Sequence, residues 1–165
     1  MSQQFVSRAS QINEEILFVP KEEMQSYCNT ARANLISARR QDKEVNKNAK
    51  FNPLIEEIEK AISGHFESLD QTEKEIYAEN LGSFISLCFL ANLIGKKSSP
   101  NSFITIYASS SKNPKVNCFI LETAKIIEKH LQLIEETEVE HYCSEITNCI
   151  SFHMIMGILE MASKT

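Results

Sequence analysis

Helix-start signals divide this chain into long helical segments. Two Asn-Pro pairs, at 52–53 and 113–114, each place a capping side chain before a proline, which suits the first turn of a helix. Asp70 and Glu73 have the spacing of a capping box, in which each side chain accepts a hydrogen bond from the other residue's backbone N–H. With only four glycines and four prolines, the chain has too few turn residues for a many-stranded β-fold. We therefore expect an all-α protein.

Apolar side chains recur at helical spacing between these signals. The pattern predicts six helices and a short seventh: 5–17, 20–40, 52–66, 70–94, 100–109, 113–136 and 138–162. The helix over 70–94 is apolar on all sides towards its end, so we expect it at the centre of a helical bundle.

The segments between the predicted helices are polar or ambiguous. We predict a polar loop over 41–51 and an irregular or short-helix connection over 96–113. No repeat of fixed period is evident, which disfavours a solenoid. The length of 165 residues, with 42% hydrophobic and 24% charged residues, predicts a single domain over 1–165.

Charge, hydropathy and cysteine usage limit the kinds of partner and the cellular location that we expect. A net charge of -5 disfavours general nucleic-acid binding. The polar N-terminus predicts no secretory signal peptide, and the longest apolar run, 84–94, is too short for a membrane span of roughly 20 residues. The five cysteines are odd in number and have apolar neighbours, which is typical of reduced thiols in a cytoplasmic protein.

The last predicted helix carries the best set of chemically competent side chains. His141, Glu145, Cys149 and His153 are spaced four apart, and an imidazole one turn from a thiol can activate it. One straight helix spreads the four residues over about 18 Å, however, so they cannot share one metal ion. We expect no metal and no cofactor, favour a buried structural thiol, and keep Cys149 with His153 as an alternative catalytic site.

Two other histidines lie beside apolar stripes. His65 ends the stripe of the 52–66 helix, and His130 lies on the flank of the 113–136 helix. We interpret both as hydrogen-bonded histidines at the edge of the core rather than as catalytic bases.

Charge and apolar side chains together suggest a binding surface. Residues 32–50 hold six cations against two carboxylates, which would steer an acidic partner. Phe152 and Met156 fall off the main stripe of the last helix and are expected to be exposed. The predicted partner-binding residues are Arg39, Arg40, Lys43, Phe152 and Met156.

The run Glu135-Glu136-Thr137-Glu138-Val139-Glu140 is similar to the glutamate-rich blocks near the ends of effectors exported by type IV secretion systems of intracellular bacteria. That resemblance implies export into a host cell without a cleaved signal peptide.

Nucleotide-binding and hydrolase motifs are missing from the sequence.

We therefore expect a non-enzymatic regulator that binds another protein: an adaptor, a secreted bacterial effector or an antagonist of one. Self-association into a homodimer through the last helix is a second mode of binding. The alternative function is a small helical enzyme or ligand-binding protein with its site near Cys149 and His153.

Overall fold

The computed structural model describes residues 3–45, 52–93 and 112–164, and these residues are almost entirely helical. No strand occurs within these ranges, and the predicted all-α bundle is confirmed. Six α-helices are described: α1 Gln3–Glu15, α2 Met24–Val45, α3 Asn52–Ser68, α4 Gln71–Leu93, α5 Pro114–Leu131 and α6 Val139–Ser163. Short 3-10 turns cover Ile16–Phe18, Lys21–Glu23 and Glu136–Glu138.

The predicted helix starts are confirmed where the capping side chains are described. The Asn113 side chain accepts hydrogen bonds from the backbone N–H groups of Lys115 and Val116, at 3.0 and 3.2 Å. The backbone N–H of Glu73 donates to Asp70 at 2.9 Å, and that of Asp70 donates to Glu73 at 3.0 Å. Each cap satisfies amides that a helix N-terminus leaves without partners.

The loop predicted for 41–51 begins later than expected, because α2 continues to Val45. The residues from Gln41 to Glu44 lack apolar periodicity, but glutamine, lysine and glutamate favour an existing helix and extend it at little cost. The rest of that loop, and the connection and short helix predicted within 94–111, lie outside the described residues.

The helix predicted over 113–136 is shorter than expected. It ends at Leu131, where Gln132 forms the C-cap and a turn follows. The next helical segment begins at Glu136, two residues before the predicted start at 138, and Glu135 caps it through a capping box with Glu138. The glutamate-rich run is therefore in part a helix start.

The residue contacts resolve two compact units. Unit 1 comprises residues 1–48 and 151–165, and unit 2 comprises residues 49–150. The boundary falls inside α6, so the two halves of this helix contribute to different cores. The single domain predicted over 1–165 remains a prediction.

Unit 1 is built on the packing of α1 against α2. Its core contains Ala9, Ile12, Cys28, Ala31, Leu35, Ile155 and Leu159. The second half of α6 thus buries Ile155 and Leu159, whereas Met154, Ile158 and Met161 of the same half are less buried.

Unit 2 contains α3, α4, α5 and the first half of α6, with α5 packed against both α3 and α4. Its largest fully buried side chains are Ile58, Ile62, Tyr77, Leu81, Phe84, Ile120, Ile127, Tyr142 and Ile146. The last turn of α4 differs from the predicted all-round burial, because Leu90 and Leu93 are exposed.

Two helical segments, Gln71–Leu93 and Glu136–Ser163, are long and apolar enough to cross a membrane by length and composition. The core helices of soluble proteins pass the same test. The expectation of no membrane span remains a prediction.

Candidate functional site

His65 lies at the centre of a buried hydrogen-bond network in unit 2. Its Nδ1 is 2.9 Å from the Tyr77 hydroxyl, and its Nε2 is 2.9 Å from Glu122 Oε2. The Phe119 ring stacks on the imidazole, with ring centroids 4.2 Å apart. The residue is 8% exposed, so its ring is held from three sides in the core.

Thr123 extends this first network. Its hydroxyl oxygen is 2.8 Å from the Tyr77 hydroxyl and 3.2 Å from Nδ1 of His65. The Thr123 hydroxyl also donates to the Phe119 carbonyl at 2.9 Å. The buried polar atoms of these side chains therefore satisfy one another.

His130 forms a second network, in which its Nδ1 is 2.6 Å from the Tyr142 hydroxyl and its Nε2 is 2.8 Å from Glu57 Oε2. His130 is 0% exposed. Lys129 Nζ lies 3.7 Å from the other Glu57 oxygen. The hydrogen bond from His130, with a smaller contribution from the Lys129 charge, holds the pKa of Glu57 below its ordinary value.

The partners of the two histidines orient their rings. A carboxylate only accepts hydrogen bonds, so Nε2–H of each imidazole donates to a glutamate. On the other side of each ring, Nδ1 shares a hydrogen bond with a tyrosine hydroxyl. Burial raises the pKa of Tyr77 and Tyr142 above the ordinary phenol value, which keeps both hydroxyls protonated.

The two networks are copies of one sequence pattern. In each, the histidine follows a glutamate by eight positions and precedes a tyrosine by twelve, and the second copy lies 65 positions after the first. Aligning residues 52–86 with 117–151 gives 12 identities in 35 positions without a gap. The capping boxes of Asp70 with Glu73 and of Glu135 with Glu138 also fall at equivalent positions.

The helical hairpin α3–α4 is thus repeated as α5–α6. Our expectation that the chain has no repeat of fixed period is wrong. Many equivalent core positions are buried in both hairpins but hold different residue types. Leu81 corresponds to Ile146, for example, and Phe84 to Cys149. The signal that sequence reasoning missed was the shared spacing of glutamate, histidine and tyrosine.

The hydrogen bonds exchange partners between the two hairpins. Each histidine bonds the tyrosine of its own hairpin and the glutamate of the other hairpin. Since Glu57 pairs with His130 and Glu122 with His65, α3 and α5 run antiparallel. The networks therefore join the two hairpins.

The alternative catalytic pair lies on α6, one turn apart. Cys149 is 1% exposed and belongs to the core, and His153 is half-buried. The two cavities described in the structure are lined by residues of α1, α2 and their connection, and neither includes this pair. All five cysteines lie among the described residues and none of them forms a disulfide; Cys118 is exposed, whereas the other four are buried.

The predicted partner-binding residues lie in unit 1. The Arg39 guanidinium is 5.2 Å from the centroid of the Phe152 ring, so the structure brings these two together. Arg40 and Lys43 are exposed. The expected exposure of Phe152 and Met156 is wrong, because both are half-buried against the core of unit 1. Their role in binding a partner remains a prediction.

A second surface of unit 1 is more apolar than the predicted one. Leu17 and Phe18 occupy a 3-10 turn after α1 and are 81% and 85% exposed. Pro20 forces the preceding Val19 into an extended conformation, which ends the helix and leaves the two side chains off its buried face. We call Leu17 and Phe18 the apolar edge. Sequence reasoning recognised only a helix end here.

A groove of about 670 Å³ lies beside the apolar edge, within the connection between α1 and α2. It is lined by Glu14, Glu15, Phe18, Val19, Pro20, Glu23, Ser26, Tyr27 and Thr30. The Tyr27 hydroxyl donates to Glu15 at 3.3 Å. The groove therefore combines apolar walls with a carboxylate rim.

Comparisons of the chain with models of protein families, with curated proteins and with solved structures each give no match. The functional interpretation therefore rests on the residues and contacts of this chain.

Proposed function

We propose that this protein is a non-enzymatic helical regulator that works by binding another protein. The observation that supports this proposal is the apolar edge, where Leu17 and Phe18 are adjacent and almost fully exposed. Single exposed apolar residues are ordinary, but an aromatic and a leucine side by side at the mouth of a groove are typical of a binding site. Burial of two such side chains by a partner would contribute roughly 3–6 kcal/mol before the costs of association.

The alternative of a small helical enzyme has less support. Both ring nitrogens of His65 and of His130 form hydrogen bonds that join the two hairpins. The Cys149 thiol is buried, whereas reactive thiols are partly exposed in electropositive surroundings. These histidine and cysteine side chains thus support a structural role better than a catalytic one.

A local capping role of the glutamates weakens the hypothesis of export into a host cell. Glu135 and Glu138 form a capping box, and Asp70 and Glu73 do the same in the equivalent hairpin. These glutamates have a local reason to be present, so the glutamate-rich run adds little to the case for an exported effector.

Affinity capture tests the proposal. Four baits would be used in a lysate of the source organism: wild type, a Leu17→Ser/Phe18→Ser variant, a Leu90→Ser/Leu93→Ser control and an Arg39→Glu/Arg40→Glu/Lys43→Glu variant. The control removes two exposed apolar side chains from unit 2, which matches the chemical change at the apolar edge. Quantitative mass spectrometry would compare the captured proteins.

We expect one protein to be captured in stoichiometric amounts by wild type and by the control, and to be lost with the Leu17→Ser/Phe18→Ser variant. Loss only with the charge-reversed bait would place binding on the predicted basic surface instead. If no captured protein depends on either surface, that result would contradict the proposed function.

A further inference from the structure

We infer that the groove beside the apolar edge binds a cationic protein segment that carries an apolar anchor residue. This inference rests on the proposed function and specifies its partner. The groove is defined by Glu14, Glu15, Phe18, Val19, Glu23 and Tyr27, all within unit 1.

The apolar part of the groove fits a side chain rather than an ion. Phe18 forms one exposed wall, and Val19 and Tyr27 are half-buried beside it. A volume of about 670 Å³ lies within the range of sites that hold a ligand or an anchor side chain. The peptide in such a groove would bury an apolar residue against Phe18 and Tyr27.

The rim of the groove selects the charge of the segment. Glu14, Glu15 and Glu23 line the groove and are exposed, and Lys21 is the single cation among residues 14–23. The Glu15 carboxylate accepts from Gln11 at 2.8 Å as well as from Tyr27, so it is oriented within the rim. Three carboxylates around an apolar groove attract lysine and arginine side chains at short range.

The same charge argues against other occupants of the apolar edge. Exposed leucine and phenylalanine also insert into membrane interfaces, but the three carboxylates that line the groove would be repelled by anionic lipid headgroups. They would likewise be repelled by the phosphates of a nucleic acid. Charge complementarity therefore favours a basic protein segment.

Two synthetic peptides test this inference on the full chain. They have the same length and the same leucine and phenylalanine positions, but one carries lysine and arginine where the other carries glutamate. Fluorescence anisotropy of each labelled peptide would give its affinity at low salt and at about 0.5 M NaCl, where surface charges are strongly screened. Backbone amide shifts would locate the contact on the protein.

We expect the cationic peptide to bind at least about tenfold more tightly than the anionic one, and to lose most of that advantage in high salt. Its contact should shift the amides of Tyr27 and Thr30. A Glu14→Gln/Glu15→Gln/Glu23→Gln variant should lose the preference. The matched Glu56→Gln/Glu67→Gln/Glu140→Gln control, which removes three exposed charges elsewhere, should keep it.

Equal binding of both peptides, or amide shifts away from the groove, would overturn the inference. If capture depends on Leu17 and Phe18 while the peptides are not discriminated, the protein binds its partner by apolar contact and only this inference fails. If capture also fails, the proposed function fails with it. Concentration-dependent self-association that the three glutamine substitutions abolish would identify a second copy of the chain as occupant, and would overturn a separate basic partner.

Discussion

At the scale of single residues, the two buried histidines show how environment decides the role of a titratable group. His65 and His130 each hold a glutamate on Nε2 and a tyrosine on Nδ1. A catalytic base needs one nitrogen that can reach a substrate proton. With both nitrogens engaged in the core, these imidazoles act as hydrogen-bonded links between helices.

Removing one tyrosine hydroxyl from such a network should be costly. Tyr142→Phe leaves Nδ1 of the fully buried His130 without its 2.6 Å partner, so we expect a loss of about 1–3 kcal/mol in the free energy of unfolding. Tyr27→Phe is the matched control, because its bond to Glu15 is longer and exposed, and we expect a loss below about 0.5 kcal/mol. Urea denaturation measures both, and equal losses would contradict the structural role of the network.

The buried thiols and phenols of unit 2 predict a decline in stability at alkaline pH. Burial raises the pKa of Cys143 from 9.0 to about 11 and that of Cys88 from 9.0 to about 12, and raises the pKa of Tyr77 and Tyr142 above 10.0. Above pH 9 the unfolded chain therefore releases protons that the folded chain retains. The stability these groups contribute is complete below the unfolded values and is lost as pH rises through the folded ones.

We expect the urea midpoint to fall steadily between about pH 8.5 and 11. A Cys88→Ala/Cys143→Ala variant should be less stable at neutral pH, but its decline should begin nearer the phenol range. A midpoint that is constant to about pH 11, or an identical slope in the variant, would argue against this assignment.

At the scale of elements, unit 2 is two copies of a helical hairpin. Local signals predicted the starts of α4 and α5, because Asp70 and Asn113 cap their own first turns. Local sequence patterns could not predict the hydrogen bond between Glu57 and His130. Residues 73 positions apart meet only when the two hairpins pack together.

The ends of helices were predicted less well than their starts. In sequence, the apolar stripe of α5 continues through Ile134, which is buried in the structure but lies in the turn after the helix. Burial alone therefore does not distinguish the last turn of a helix from an apolar residue in the connection. The extension of α2 through Val45 shows the converse, since polar residues prolonged a helix without any apolar signal.

The cap of α5 also links the two hairpins. Asn113 caps its own helix and donates from Nδ2 to Glu73 of α4 at 2.9 Å. We expect Asn113→Ala to lower the free energy of unfolding by about 1–2 kcal/mol, and Asn113→Ser to lower it much less, since serine retains the cap. Chemical denaturation would compare the three proteins, and an equal loss in both variants would show that capping contributes little here.

At the scale of the whole molecule, the buried hydrogen-bond networks and the proposed binding surface lie in different units. Unit 2 buries His65 and His130 with their tyrosines in the networks that join its hairpins, whereas unit 1 carries the apolar edge and the acidic groove. Sequence patterns predicted an all-α protein, and the binding surface that they suggested at Arg39, Phe152 and neighbouring residues stays a prediction. The exposure of Leu17 and Phe18 arises from the turn before Pro20, which periodicity along one helix does not describe.

Site-specific photocrosslinking tests the central claim, that the apolar edge binds another protein, most directly. A photoreactive phenylalanine analogue would replace Phe18 in the full chain, and Leu133, an exposed residue of unit 2, in a matched control. After irradiation in cells of the source organism, we predict one defined adduct with another protein from position 18 and none from position 133. No adduct from position 18, or the same adduct from both positions, would contradict the account.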